Sequence, residues 1–236
     1  MSKKSVLIAN VVAVTVIIAV ITVLALNGAG AMEAVGKNYA VYRGSAETPY
    51  VSLMFNVYWG TEYIEDILDV LARYGVKTTF FIGGSWAAKN NSLVKKISEA
   101  GHEIGSHGYN HKDAENLSYE RNLDEMVPAE KLLEELTGKQ ISLFAPPSGS
   151  IGDAMFSAAE ELGYSVILWS RDTVDWRDKN PDLVYTRATS DIRNGELILM
   201  HPTAHTLQAL PKILEYYSRN GFKAVSVGVN VGTERP

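Results

Sequence analysis

The chain has 236 residues and a formal net charge of −5, with 22 Lys and Arg against 27 Asp and Glu and no cysteine. A mildly acidic chain without a basic cluster argues against a nucleic-acid partner. The lack of cysteine excludes a disulfide framework, so an exported domain of about 200 residues would depend on its hydrophobic core for stability.

The first element in chain order is an apolar segment, Ser5 to Leu26, made almost entirely of Val, Ile, Ala and Leu. As a helix that rises about 1.5 Å per residue, it is long enough to cross about 30 Å of hydrocarbon. Lys3 and Lys4 precede this segment, and the next basic residue is Lys37. The positive-inside rule therefore predicts a cytoplasmic N-terminus and an extracytoplasmic remainder.

This reading divides the chain into four parts. We expect a short cytoplasmic N-terminus over 1–4, a transmembrane signal-anchor over 5–27, a linker over 28–37 and one domain over 38–236. Ala29-Gly30-Ala31 supplies the small residues of a signal-peptidase site, so the alternative is a signal peptide that is cleaved to release a secreted domain. The apolar run exceeds the usual length of a signal peptide core, which favours a single-pass protein of the cell membrane.

Beyond Lys37, short apolar runs typical of strands alternate with amphipathic segments typical of helices. Ile64, Ile67, Leu68 and Leu71, for example, follow the helical spacing i, i+3, i+4, i+7. The predicted strands are 51–55, 78–82, 103–106, 142–145, 165–169, 196–200 and 224–227. The predicted helices are 64–74, 93–100, 119–136, 153–162, 181–193 and 207–220. About seven β/α units predict a parallel sheet covered by helices.

Polar residues follow the predicted strands at their carboxyl ends, where α/β folds place their active sites. They are Asn56, His107 and His111, the segment 146–149, the segment 171–176, and His201. Because five strand ends contribute such residues, the sequence predicts that they line one common mouth.

The strongest single motif is the histidine pair, His107 and His111. Residues four apart on a helical turn share one face, so both imidazoles can reach a single divalent cation. Imidazole is a good ligand for zinc, which makes Zn²⁺ the predicted metal.

The residues at these strand ends resemble motifs of the polysaccharide deacetylase family, carbohydrate esterases with a NodB homology domain. The resemblance covers roughly 51–227. The matching segments are His107-Gly108-Tyr109-Asn110-His111 for H-x-x-x-H, Phe144-Ala145-Pro146-Pro147-Ser148-Gly149 for R-x-P-x-G, Asp172-Thr173-Val174-Asp175-Trp176 for D-x-x-D-W, and Leu199-Met200-His201 for L-x-H. The resemblance implies a distorted (β/α)7 barrel of the NodB type.

The resemblance also implies a reaction. Family members are hydrolases that use a metal-activated water to remove N- or O-acetyl groups from polysaccharide, here a cell-wall glycan such as peptidoglycan or a chitin-like polymer. By analogy, His107 and His111 hold the metal, while His201 is the general acid and Asp175 orients it. The residues expected to contact the glycan are Trp59, Pro147, Ser148 and Trp176.

The chain departs from the family in the first motif, T-F-D-D-G, which aligns with the segment from Met54 to Gly60. Asn56 takes the position of the general base, and Val57 takes that of the carboxylate metal ligand. An amide has no basic site near neutral pH, and a valine has no ligand atom. Ala145 stands where the family usually has an arginine.

Two interpretations follow from these losses. In the first, other residues take over: Glu62 as the third metal ligand, Asp113 or Asp172 as an alternative carboxylate, and Arg171 as the missing arginine. Glu62 near the start of the first helix is equally explained by the helix dipole. In the second interpretation the domain is catalytically impaired and serves as an envelope glycan-binding module.

Overall fold

The computed structural model describes residues 40–233, which belong to one compact unit. The predicted cytoplasmic tail, transmembrane segment and linker lie outside the described residues, so these assignments stay predictions. Among the helices of the described part, none combines the length and the apolar character that a membrane crossing requires.

Strands and helices alternate along most of the domain. The strands are β1 (Ala40–Val41), β2 (Tyr50–Val57), β3 (Thr79–Ile82), β4 (Glu103–Ser106), β5 (Leu143–Phe144), β6 (Ser165–Ile167), β7 (Arg171–Asp172), β8 (Glu196–Met200) and β9 (Lys223–Ala224). The helices are α1 (Ile64–Arg73), α2 (Gly84–Ala87), α3 (Asn91–Glu99), α4 (Tyr119–Thr137), α5 (Asp153–Glu161), α6 (Asp175–Asp178), α7 (Pro181–Thr189), α8 (Ala204–Arg219) and α9 (Val227–Val231).

The strands form one sheet in the order β1-β6-β5-β4-β3-β2-β8-β7, and β9 also pairs with β2. Every strand ladder in it is parallel. The path ends at β1 and β7, so in the described residues the sheet is a curled half-barrel. The predicted parallel sheet with covering helices is confirmed.

The two faces of the sheet carry different cores, which β2 illustrates. Leu53, Phe55 and Val57 belong to the larger cluster, which also contains the buried residues of the helices. Met54 belongs to a smaller cluster on the inner face of the curl. Because side chains alternate along a strand, Asn56 shares the inner face with Met54.

Local sequence signals explain how α4 begins and ends and how α7 begins. Ser118 caps α4 by accepting the N–H of Arg121, and Gly138 ends that helix in the left-handed conformation. The side chain of Asn180 accepts two N–H groups at the start of α7, where Pro181 has no N–H to satisfy.

Some predicted boundaries are wrong, each for a local reason. The predicted strand 224–227 contains only the end of β9, because Ser226 caps a new helix, α9, through the N–H of Val229. The predicted helix 181–193 ends at Thr189, because Ser190 is extended and Asp191 has a positive φ. The short elements β1, β7, α2 and α6 offer too few residues for a periodic signal.

Candidate active site

The polar residues predicted from the sequence meet at one pocket. This pocket lies at the carboxyl ends of the strands, on the inner side of the curled sheet. The pocket has a volume of about 280 Å³. Its lining residues are Asn56, Tyr58, His107, His111, Ser148, Trp169, Asp172, Trp176, Leu199 and His201. They come from segments far apart in sequence, as expected for the carboxyl edge of a parallel sheet.

His201 and Asp175 form a buried pair. Nδ1 of His201 lies 2.8 Å from Oδ1 of Asp175, and Oδ2 of Asp175 accepts the backbone N–H of His201 at 2.6 Å. The hydroxyl of Thr206 also donates to Asp175. A carboxylate can only accept, so Nδ1 carries the hydrogen and Nε2 of His201 is left for proton transfer in the pocket.

His107 is oriented by a backbone carbonyl in a similar way. Its Nδ1 lies 2.7 Å from the carbonyl oxygen of Ala145, which accepts the ring N–H and leaves Nε2 with a lone pair. Burial, together with the neighbouring His111, lowers the pKa of His107 to about 3. The ring is therefore neutral at neutral pH, the form in which imidazole binds a metal.

His111 completes the pair. Its ring centroid lies 5.0 Å from that of His107, at an interplanar angle of 71°. Burial is the main cause that lowers the pKa of His111 as well. Two neutral imidazoles at this separation are a suitable donor set for a borderline divalent cation such as zinc.

A third protein ligand is missing from the described part of the chain. Residues 40–233 contain no cluster of three or more His, Cys, Asp or Glu side chains that could hold a metal ion. Catalytic zinc usually has three protein ligands, so the two imidazoles fit a metal that is held weakly.

Asn56 and Val57 explain part of this deficit. Asn56 is buried at the pocket, and its Oδ1 has no hydrogen-bond partner among the described residues. Val57 is fully buried in the larger core between the sheet and the helices. The second altered residue of the motif therefore faces away from the pocket and contributes packing there.

The structure does not bring Glu62 to the histidine pair. Glu62 is exposed, and its carboxylate accepts the N–H of Thr61 at 2.9 Å. Hydrogen bonds from its own backbone N–H and from that of Thr61 lower its pKa. This local arrangement matches the alternative explanation of Glu62 as a carboxylate near a helix N-terminus.

The other candidate replacements differ in where they point. Asp172 lines the pocket, one of its oxygens accepts the N–H of Val174 at 2.7 Å, and burial raises its pKa. Arg171, one residue earlier, points to the opposite face, where it pairs with Glu196 at 3.3 Å. Arg171 is therefore not a replacement for the missing arginine. Asp113 is exposed and outside the pocket lining.

Two consecutive aromatic residues cover the imidazoles. The Tyr58 ring stacks on His111 with centroids 3.6 Å apart and an interplanar angle of 22°. The Trp59 ring lies over His201 at 4.9 Å. Trp59 is 37% exposed and Trp176 is 52% exposed, so both can contact a ligand. Tyr58 and Trp59 thus form an aromatic wall at the end of β2.

The remaining predicted glycan contacts lie close together. Ser148 lines the pocket, whereas Pro147 is buried at the start of the 3₁₀ turn Pro147–Gly149. Tyr58 and Trp169 also line the pocket, although aromatic residues near strand ends are as often core residues and neither is among the predicted glycan contacts. Tyr58 could have been found, because it occupies the position at which the first family motif has a glycine.

Comparisons with known proteins agree with this geometry. A sequence model of the polysaccharide deacetylase family matches residues 43–167. The chain is 38% identical over 182 residues to the uncharacterized protein YlxY of Bacillus subtilis, covering 77% of this chain and 57% of YlxY. It is 34% identical over 171 residues to a peptidoglycan-N-acetylglucosamine deacetylase of Bacillus cereus, covering 70% of this chain and 80% of that relative.

A solved structure shows that the similarity extends from the sequence to the fold. The wild-type protein BA3943 of Bacillus anthracis, described as a CE4 family pseudoenzyme, superposes with a TM-score of 0.80 at 34% identity, covering 82% of this chain and 69% of that chain. A mutant of BA3943 is described as having restored enzymatic activity. The chain therefore belongs to the polysaccharide deacetylase family, hydrolases that act on the amide bonds of acetylated glycans.

Proposed function

We propose that the domain binds N-acetylated cell-wall glycan in the pocket and acts on it as a slow deacetylase. The observation that carries this proposal is the buried His201–Asp175 pair, whose His201 lines the same pocket as His107 and His111. The likeness to a peptidoglycan-N-acetylglucosamine deacetylase supports the choice of glycan.

Each side chain has a role in this proposal. His201 gives a proton from Nε2 to the departing amine, and Asp175 stabilises the imidazolium that exists before that transfer. Trp59 and Trp176 contact the sugar rings. His107 and His111 would hold a divalent metal, with zinc as the proposed ion. When bound, that metal supplies a Lewis acid that polarises the acetyl carbonyl.

The missing base explains why the proposed activity is slow. A positioned general base contributes about 10²- to 10⁴-fold, and the amide of Asn56 cannot accept a proton. Asp172 lines the pocket, and its carboxylate takes no part in the hydrogen bond between His201 and Asp175. Burial raises the pKa of Asp172. Asp172 is therefore the side chain best able to take up a proton from water in the present site.

The test is acetate release from N-acetylated peptidoglycan and chitin oligomers. The parent protein should release acetate slowly, and His201→Ala should remove that activity. Asp172→Asn should reduce it if Asp172 takes up the proton. Equal release by the parent and by His201→Ala would contradict the proposed role of the buried pair.

A second candidate function is a glycan-binding module without turnover. The residues at the two altered positions of the first motif favour it. Asn56 offers no proton acceptor at the position of the general base, and Val57 faces the core between the sheet and the helices. The similarity to a CE4 family pseudoenzyme supports it as well. Measurable affinity for N-acetylated oligomers without any acetate release would favour this function over the first.

We also propose that the apolar segment 5–27 anchors the protein in the cell membrane and holds the domain on the extracytoplasmic side. The length of the segment and the position of Lys3 and Lys4 support this proposal. An uncut chain that resists carbonate extraction is the expected result. A shortened chain that starts after Ala31 and is free in the medium would support the secreted alternative.

A further inference from the structure

His107 and His111, the two proposed metal ligands, are joined by a short loop over residues 107–111. A carboxylate from another element holds this loop. Glu125 lies on α4, and its Oε2 accepts the N–H of Tyr109 at 3.1 Å and that of Asn110 at 2.6 Å. Its Oε1 accepts the side-chain amide of Asn110 at 2.9 Å. One carboxylate thus binds three donors of the two residues that precede His111.

The opposite side of the same loop is held by the start of α2. The carbonyl oxygen of Gly108 accepts the N–H of Gly84 at 2.9 Å, and that of Tyr109 accepts the N–H of Ser85 at 2.8 Å. The backbone polar groups of this turn are therefore bound from two directions. These hydrogen bonds help to fix a loop that has no regular secondary structure.

The constraint matters because His111 has an unfavourable backbone conformation. Its φ is +56°, in the left-handed region, and Gly108 has a φ of +70°. A residue other than glycine is strained in such a conformation, which persists only where the surroundings of the residue determine it. Hydrogen bonds to a charged carboxylate are stronger than bonds between neutral groups, so Glu125 is a major part of those surroundings.

We infer that Glu125 is a positioning residue for the His107–His111 pair. It is not among the residues that line the pocket, so it acts through the loop. This inference rests on the proposed metal site at those two histidines. Loss of an outer-shell partner typically weakens metal affinity about 10- to 100-fold. Glu125 would hold His111 at the distance from His107 at which both rings can share one cation.

Calorimetric titration of the full chain with Zn²⁺ tests this role. Glu125→Ala should weaken zinc affinity at least about tenfold. Glu125→Gln keeps an acceptor oxygen for the two backbone N–H groups and should recover most of the affinity. Asp124→Ala is the matched control: it removes the same charge from the adjacent, exposed position of α4, where the side chain contacts Arg121, and should bind zinc like the parent.

A second measurement separates positioning from general stability. In long-range ¹H–¹⁵N spectra of the metal-free protein, Glu125→Ala should move the ring signals of His111 and leave those of His201 in place. Unchanged zinc affinity together with unchanged His111 signals would overturn the inference, and so would equal effects of Asp124→Ala.

The two proposals fail in different ways. If the parent takes up no zinc, the metal part of the proposed function fails. A selective shift of the His111 signals in Glu125→Ala would then still support the positioning role, and no shift would overturn it. Should Glu125→Ala fail to fold, the comparison of Glu125→Gln with Asp124→Ala by both readouts decides the question.

Discussion

At the scale of single residues, Asn56 occupies the position at which the family motif has its general base. It is 3% exposed, it lies at the pocket, and its Oδ1 has no partner among the described residues. Asparagine and aspartate have nearly the same shape, so a carboxylate fits the same space without repacking. The loss of the base is therefore chemical, while the cavity that held it is kept.

The first prediction is that Asn56→Asp raises acetate release. A restored and positioned base should increase the rate by about 10²- to 10⁴-fold, provided that the metal and the acid are in place. The measurement is acetate release from N-acetylated chitin oligomers in the presence of zinc. Asn220→Asp, which adds the same charge at an exposed helix end, should leave the rate unchanged.

The outcome of that substitution also separates the two interpretations. If Asp172 has taken over as the base, Asn56→Asp should be nearly neutral, and Asp172→Asn should remove the activity of the parent. If the domain is a binding module, a large gain from an inactive parent is expected. A variant with no gain from an inactive parent would contradict the view that Asn56 is the main defect.

The second prediction concerns the exposed aromatic rings at the pocket mouth. Trp59→Ala should weaken binding of N-acetylated oligomers by about fivefold or more, because a stacked aromatic ring contributes roughly 0.5–1.5 kcal/mol beyond the area it buries. Affinity is measured by calorimetric titration. Tyr42→Ala is the control, since Tyr42 is also exposed, at 49%, but does not share the ring contact that Trp59 makes with His201 at the pocket. Equal losses in both variants would contradict a specific role of Trp59.

The residues of the site differ in how far the sequence predicts them. The histidine pair and His201 could be predicted because their motifs have fixed spacings and follow strands. The position of Glu62 could not, because its carboxylate turns back to the N–H of Thr61, a choice made by one local hydrogen bond. Stacking of Tyr58 on His111 depends on a contact between loops more than 50 positions apart, which periodicity does not encode.

At the scale of elements, hydrophobic patterns predict most strands and helices, and the differences occur where caps or short segments decide. The strand 103–106 is predicted at its observed bounds, whereas α9 replaces the end of a predicted strand because of the Ser226 cap. Strand β4 also shows how closely the inner face is packed. A Cβ on Gly105 would lie 2.4 Å from Cδ1 of Phe81.

The third prediction follows from this contact. Gly105→Ala should destabilise the fold by about 1–3 kcal/mol, since overpacking forces the Phe81 ring or the backbone to move. Urea denaturation measures the change in free energy of unfolding. Gly163→Ala is the comparison: its Cβ would meet no atom within 4 Å, but its φ is +70°.

The comparison variant tests the reason as well as the size of the effect. In Gly163→Ala the loss of unfolding free energy should come only from the left-handed backbone conformation, which costs about 1–2 kcal/mol. Gly105→Ala should also disturb His107, two residues further along the chain, whereas Gly163→Ala should not. A loss clearly below about 1 kcal/mol in Gly105→Ala would show that the inner face tolerates the added methyl group.

At the scale of the whole molecule, the two faces of the curled sheet have different roles. The outer face packs against the helices, and the inner face ends in the pocket at the carboxyl edge. This division is predictable from the alternation of strands and helices, because parallel sheets need helices to cover them. Whether the sheet closes is not predictable in this way, since closure depends on how β1 and β7 pair.

The same packing buries two histidines in their neutral form. Burial, with the positive charge of Lys77 nearby, lowers the pKa of His102 to about 4, and burial lowers that of His107 to about 3. In the unfolded chain both rings take up a proton near an ordinary pKa of about 6.5. Between these values the unfolded state binds more protons than the folded state, so acid favours unfolding there.

The fourth prediction is therefore that stability falls as the pH is lowered from about 6.5 toward 4, with the full histidine contribution present above that window. Urea denaturation at about pH 7 and about pH 5 should give a clearly lower midpoint at the acidic pH.

The carboxylate of Asp178, whose pKa is lowered to about 2 by Arg177 and Arg187, titrates below this window and does not contribute to the difference. His102→Gln should reduce the pH dependence, because one of the buried imidazoles that take up a proton on unfolding is gone. Equal midpoints of the parent at both pH values would mean that the two imidazoles are already protonated in the folded protein, which contradicts their burial as neutral rings.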